Sequence, residues 1–297
     1  MEKIKSGFVS IVGRPNVGKS TLLNRLLNKK VAIVSDKVGT TRNIIYGILN
    51  EKDYQIVFID TPGINKPSNK LGEVLNSKAY QSFENDLVLF LVDSLSGFGP
   101  NDNKILERLK QEEKQVILIL TKIDLINKEK LLRQIDELKD LYHFVDIVPI
   151  SVTSDENIDE LLYVIKNNLK DDVKYFDDEI FTNVTEKFQV GEIIREKVLN
   201  LTRQEVPHSV TCMVETMEFK KESCHINALI IVDRDNLKGI IIGKNGQMLK
   251  EIGTLARIEI EEMLGKKVYL NIFVKVIENW RDKTNLFEEL GILEEQD

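Results

Sequence analysis

Eight residues near the start, Gly13-Arg14-Pro15-Asn16-Val17-Gly18-Lys19-Ser20, constrain this chain most. They spell Gly-x4-Gly-Lys-Ser between two different hydrophobic patterns. Phe8-Val9-Ser10-Ile11-Val12 before them reads as a buried strand. Thr21-Leu22-Leu23-Asn24-Arg25-Leu26-Leu27 after them has helical spacing. Strand, glycine-rich loop and helix, in that order, make a cradle for phosphate. Glycine lets the backbone wrap an anion and turn several N–H groups inward. The positive end of the helix that follows points at the same place. Lys19 would bridge the outer phosphates, and the Ser20 hydroxyl would hold Mg²⁺. A plain glycine turn between strand and helix would need neither Lys19 nor Ser20.

A phosphate cradle does not choose the base. Thr121-Lys122-Ile123-Asp124 follows the apolar run Val116 to Leu120, which places it at the carboxyl end of a parallel strand. A carboxylate there accepts two hydrogen bonds. Guanine offers N1–H and an exocyclic amino group on one edge, and adenine has no such donor pair. Lys122 can lay its stem across the purine. Alone this run reads equally as a helix start; downstream of the cradle it points to guanine. Val148-Pro149-Ile150-Ser151-Val152-Thr153 ends another apolar strand, and Ser151 and Val152 could offer N–H groups to the guanine oxygen.

Asp60-Thr61-Pro62-Gly63 ends the run Ile56 to Ile59. Taken alone it is either a strand-ending Pro-Gly turn or the place where an aspartate holds a Mg²⁺ water and a glycine N–H meets the γ-phosphate. Between cradle and turn lies Gly39-Thr40-Thr41-Arg42-Asn43, where Thr41, in preference to Thr40, could close on Mg²⁺. Lys19, Thr41 and Gly63 are therefore the expected catalytic contacts. Ser20, Thr41 and Asp60 are the expected Mg²⁺ ligands.

Strand and helix patterns alternate through the first half, as in a doubly wound, mostly parallel α/β sheet. Ile44 to Asn50 and Gln55 to Asp60 read as a hairpin, its one antiparallel edge. The acidic, aperiodic stretch from Lys170 to Glu179 marks a break. The expected division is a nucleotide domain over 1–172, a linker over 173–185 and a smaller α+β domain over 186–297. The last opens on an amphipathic helix from Glu186 to Leu201, then two strands around Lys220-Lys221-Glu222-Ser223. Ile240-Ile241-Ile242-Gly243-Lys244-Asn245-Gly246-Gln247 follows, with a helix and a final strand after it. A Gly-x-x-Gly loop between two helices can clamp an RNA backbone while bases lie in an apolar groove. This resembles a KH domain of type II, in which the extra helix and strand precede the loop. Residues 171–297 carry 17 basic against 25 acidic side chains, so no broad basic footprint exists. RNA binding would rest on a local stripe, Lys238, Lys244, Lys250 and Arg257, and on base contacts.

These pieces, in this order, resemble the translation-factor-like P-loop GTPases and, through the second domain, the Era family. The resemblance covers essentially the whole chain. It implies GTP hydrolysis to GDP with Mg²⁺, binding of the single-stranded 3′ end of small-subunit ribosomal RNA, and a role in maturation of the small ribosomal subunit. It also implies cytoplasmic residence, with peripheral membrane association as a further expectation; a monomer is expected. Many P-loop GTPases place Gln directly after Asp-x-x-Gly to orient the attacking water. Ile64 stands here and cannot, so another group must. Asn16 is where related GTPases with Asn at this place hold K⁺; bracing the loop by a hydrogen bond is its other reading.

Composition is that of an ordinary folded protein, 42% apolar and 30% charged. No apolar run reaches the ~18 residues of a membrane span, and the basic N-terminus lacks an apolar signal core. Cys212 and Cys224 could face each other across a hairpin but are expected as reduced thiols. His143, His208 and His225 form no zinc spacing with them. Two rival functions remain: an RNA scaffold with a decayed nucleotide site, against which Lys19, Ser20, Asp60 and Asp124 argue, and a GTPase switch for a protein or membrane partner without RNA, against which the Gly243–Gly246 loop argues.

Overall fold

A computed structural model describes residues 4–292 except 65, 68, 82–84, 86 and 204. Met1 to Lys3, and Asn65 and Ser68 of the segment after Gly63, lie outside the described residues. The chain divides into two units. One comprises Met1–Ala32, Thr41–Pro67 and Gly72–Asn183; the other comprises Ile33–Thr40, Ser68–Leu71 and Val184–Asp297.

The first unit is built on β1 (Ile4–Gly13), which runs into the phosphate loop and then α1 (Lys19–Leu27). The elements that follow are β2 (Ile45–Asn50), β3 (Tyr54–Asp60), α2 (Lys70–Gln81), β4 (Leu87–Asp93), α3 (Pro100–Gln111), β5 (Val116–Thr121), α4 (Lys128–Leu138), β6 (Asp146–Pro149), α5 (Ile158–Asn167) and β7 (Lys170–Asp172). The strand order is β2-β3-β1-β4-β5-β6, with β7 paired antiparallel to the start of β1. Strands β3, β1, β4, β5 and β6 are parallel. The β2–β3 hairpin adds an antiparallel edge, in register from Ile45 with Asp60 to Asn50 with Gln55. Continuous apolar runs such as Leu87–Asp93 are buried along their whole length, as a parallel sheet covered on both faces requires. Because the parallel strands share a direction, Gly13, Asp60, Asp93 and Thr121 all finish at the same edge. That edge is where a site can form.

The acidic stretch after α5 is ordered by the first unit. The Gln55 side chain, fully buried, accepts from the amides of Tyr175 and Phe176 and donates to the Phe176 carbonyl at 2.8 Å. Thr182 then bridges to Gly47.

The second unit contains α6 (Glu186–Leu201), the short α7 (Val206–Ser209), β8 (Val210–Phe219), β9 (Ser223–Val232), α8 (Asp235–Ile242), α9 (Gln247–Leu264), β10 (Lys267–Val276) and α10 (Thr284–Glu289). Its sheet runs β10-β9-β8, with β9–β10 parallel and β8–β9 antiparallel. Helices α6, α8 and α9 pack on it, and Val190, Ile194, Ile226, Ile230, Ile241, Ile252 and Ile260 share one core. Ile33 belongs to that core although it lies between α1 and β2 in sequence. Residues 33–40 are also tied to α6: the Val34 amide donates to Glu196 at 2.9 Å, and the buried Arg195 donates to the Thr40 carbonyl. Cys212 lies opposite Ile230 and Cys224 opposite Phe219, so the two thiols do not face each other, and both are free.

Candidate functional site

The phosphate loop, Arg14 to Gly18, joins the end of β1 to the start of α1. Asn16 holds a positive φ of 65°, a conformation Asn tolerates. Gly18 is the N-cap of α1 and supplies no capping side chain. Lys19 is buried and folds back over the loop, donating to the carbonyls of Gly13 at 3.2 Å and Arg14 at 2.9 Å. Burial lowers its pKa to about 8 against the opposing pull of Asp60. A phosphate would replace these carbonyl contacts with full counter-charge.

Beside Lys19 sits a cluster of oxygens from three segments. Ser20 Oγ donates to Asp60 Oδ2 at 2.6 Å and lies 2.8 Å from Thr41 Oγ1; Thr41 Oγ1 is 3.5 Å from the same carboxylate oxygen. Asp60 is fully buried, and burial raises its pKa to about 6 despite Lys19, Ser20 and Thr41. Its Oδ1 is buried with no hydrogen-bond partner. Two hydroxyls and a carboxylate with an unsatisfied oxygen fit a hard cation that takes oxygen ligands and completes its shell with phosphate and water. Among the described residues no group of three His, Cys, Asp or Glu could hold a metal.

Gly63 closes the other side. A Cβ there would lie 2.7 Å from the Pro15 nitrogen and 2.8 Å from its Cα, so only glycine lets this turn press on the phosphate loop. Thr61 is buried and donates to the Ile11 carbonyl at 2.9 Å, fixing the turn to β1. Ile64 is 5% exposed and packs in the sheet core with Val12, Val88 and Phe90. Its side chain is spent on packing.

At the end of β5, the buried Thr121 donates to the Val17 carbonyl at 2.8 Å. Lys122, at φ 59°, donates to the Asn16 carbonyl at 2.9 Å and to Asp93 at 2.7 Å. Burial pushes the Asp93 carboxyl up, and Lys122 more than offsets it, so its pKa stays below the usual value. Ile123 is buried and the Asp124 carboxylate is exposed beside it. The Ser151 amide is taken by the Glu156 carbonyl at 3.2 Å, which leaves Val152 as the candidate N–H for a base oxygen. Sequence reasoning missed Asp93 and the pair Arg14–Asp102, at 2.8 Å, which hold Lys122 and the loop. An Asp ending an apolar strand, Leu87 to Asp93, was the signal for the first; the second carried none.

In the second unit, α8 ends at Gly243 and a single 3-10 turn, Lys244–Gly246, leads into α9. Gly243 has φ 70°, and a Cβ would sit 2.7 Å from Met248 Cβ. Lys244 and Asn245 are exposed between the two glycines, as is Gln247 after them. Of the three isoleucines before the loop, Ile241 is in the core, Ile242 is half-buried and Ile240 is 47% exposed. Of the basic stripe, Arg257 is paired with Glu261 at 3.1 Å.

Strand-end chemistry of this kind defines a P-loop GTPase, and the second unit adds a KH domain. Residues 8–122 match the family model of the 50S ribosome-binding GTPases, and residues 205–281 match that of the KH domain. A crystal structure of Era with MgGDPNP and nucleotides 1506–1542 of 16S ribosomal RNA is 42% identical, with a TM-score of 0.94, covering 97% of this chain and 99% of that one. A point variant of Aquifex aeolicus Era bound to GDP and aluminium fluoride is 41% identical with the same coverage and TM-score. The chain belongs to the Era family.

Two outcomes follow from the geometry. A cation at Asp60 binds the ionised carboxylate, so below pH about 6 it must displace a proton. Mg²⁺ titrations of nucleotide-free protein should give an affinity that is level above pH ~7 and falls about tenfold per pH unit below ~6. A profile flat from pH 5 to 8 would place the ion elsewhere. Asp124→Asn should lose GTP affinity by at least ~10-fold and gain xanthosine triphosphate, whose 2-oxo group suits an amide donor. Unchanged GTP affinity in that variant would remove Asp124 from the base site.

Proposed function

We propose that this protein binds and hydrolyses GTP with Mg²⁺, and that it binds the single-stranded 3′ end of small-subunit ribosomal RNA in the cytoplasm, during assembly of that subunit. The observation that carries the reading is the oxygen cluster of Ser20, Thr41 and Asp60, poised beside Lys19 with Asp60 Oδ1 unsatisfied. A decayed nucleotide site would not retain a buried carboxylate at such cost. The relative solved with MgGDPNP and an rRNA segment supports both ligands.

Lys19 and the loop amides bind and orient the phosphates. Mg²⁺, when bound, supplies counter-charge for the β- and γ-oxygens. Ser20, Thr41 and Asp60 would hold it. Gly63, pressed on Pro15, brings its backbone to the γ-phosphate side of the loop. Asp124, Lys122 and Val152 read guanine. Gly243 to Gly246 clamp the RNA backbone, with Ile240 exposed toward bases.

Ile64 cannot orient the attacking water, since its side chain packs in the core and bears no polar atom. We assign the ordering of that water instead to K⁺ held at Asn16. Turnover should then fall several-fold when Na⁺ replaces K⁺, and Asn16→Ala should become insensitive to the exchange. Equal rates of the unaltered protein in both salts would leave Asn16 as a brace of the loop.

RNA titration decides between this reading and a GTPase switch for a protein or membrane partner. If GTP raises RNA affinity, RNA must raise GTP affinity by the same factor. Binding of an rRNA 3′-end oligonucleotide should differ between GDP and a non-hydrolysable GTP analogue. Lys244→Asp with Asn245→Asp should abolish it, because two carboxylates repel a phosphate chain. Retained binding in that variant would remove the KH loop from the reading.

A further inference from the structure

Helices α6, α8 and α9 pack on one face of the sheet; on the opposite face Thr211, Leu229 and Ile231 are buried at one end, and the row along β10 is exposed. On β10 the side chains alternate: Leu270, Ile272, Val274 and Val276 pack toward the core, while Lys267, Tyr269, Asn271, Phe273 and Lys275 are exposed. Tyr269 is 50% and Phe273 57% exposed. Large rings left half in water on one strand face mark a binding surface when they are organised together. Here they are. The His225 ring on β9 stacks on Tyr269, with centroids 4.7 Å apart and planes 28° from parallel. Between the two rings runs a polar rung. Asn271 donates to Asn227 at 3.0 Å, and Asn227 donates to Thr216 at 2.8 Å.

We propose that this exposed row along β10 is a second single-stranded RNA surface, on which bases stack against Tyr269 and Phe273. The inference rests on the RNA-binding reading given above and concerns the face opposite the one that carries α8 and α9. Three features favour RNA over a protein partner. The rings stand four residues apart on one strand, about 13 Å, with side-chain amides between them that can meet base edges. Lys267 and Lys275 flank the row on the same strand, so positive charge lines the path a phosphate chain would follow. Glu218, a carboxylate of this face, lies on β8, with β9 between it and that path. Rings plus a cationic track are the sequence-tolerant way to hold a single strand. A protein-docking patch would want contiguous apolar cover, and Asn271 and Asn227 interrupt it.

The test uses the full chain and the 16S rRNA segment 1506–1542 as the probe. Ultraviolet crosslinking followed by trypsin should recover RNA on the peptide from Val268 to Lys275, which carries both rings. Tyr269→Ala and Phe273→Ala should each weaken the probe roughly tenfold, the size of one lost stack. Tyr269→Phe and Phe273→Tyr should retain binding, because a ring remains. Probe binding by the unaltered chain with no crosslink there, and no loss in the alanine variants, overturns the second surface while leaving the KH loop in place. Alanine variants that keep RNA affinity but lose self-association or a co-purifying protein would assign the face to a protein instead. No RNA binding by the unaltered chain would overturn both readings together.

Discussion

The first unit depends on a buried carboxylate beside a buried ammonium. Asp60 and Lys19 are both out of solvent, and each pulls the other toward its charged form while burial opposes both. Such groups cost several kcal/mol each unless they are fully hydrogen-bonded. The chain meets that demand incompletely, with two carbonyls for Lys19 and two hydroxyls for one oxygen of Asp60. What remains unsatisfied is the shape of the ligand: anionic where Lys19 is, cationic where Asp60 is. The parallel sheet exists, in this sense, to bring β1 and β3 to the same edge in register, so that the end of one strand faces the end of the other.

Much of this was legible in the sequence because each part announces itself locally. A Gly-x4-Gly-Lys-Ser run needs its strand and helix immediately beside it. Asp60 and Asp124 each follow an apolar run that can only be a buried strand. The hairpin at β2–β3 and the pair β8–β9 show in alternation and turn residues. What stayed hidden is long-range. Helix α2 has an ordinary pattern after a polar loop, and its bounds do not show in the sequence. Ile64 could be seen to lack polar chemistry, but not to face the core. Register across a hairpin is invisible in composition, so the cysteines could not be known to miss each other. Gln55 looked like an ordinary strand residue, yet it is fully buried and holds the chain at 175–176.

The second unit shows why net charge misleads about nucleic acid. It is acidic, but some of its charges are held in pairs: Lys197 with Glu196 and Glu259, Arg195 with Glu192, Arg281 with Asp233. Paired charges have little field at a distance. Lys244, Lys267 and Lys275 are exposed, and they stand where a loop or a strand already offers backbone or ring surface. Local placement does what a basic footprint does elsewhere.

Residues 33–40 and 68–71 return from among the elements of the first unit to join the second, so the chain passes between the two units five times. Neither unit is therefore a contiguous stretch of gene. A stop codon after residue 183 would not release an intact nucleotide domain. It would strand Ile33 without its core, and leave the Thr40 carbonyl and Val34 amide without Arg195 and Glu196. Residues 184–297 expressed alone would keep a buried guanidinium whose carbonyl acceptor had been deleted. Dissection by truncation would thus report on broken pieces of both halves, and the evolutionary exchange of either half would require compatible loops to travel with it.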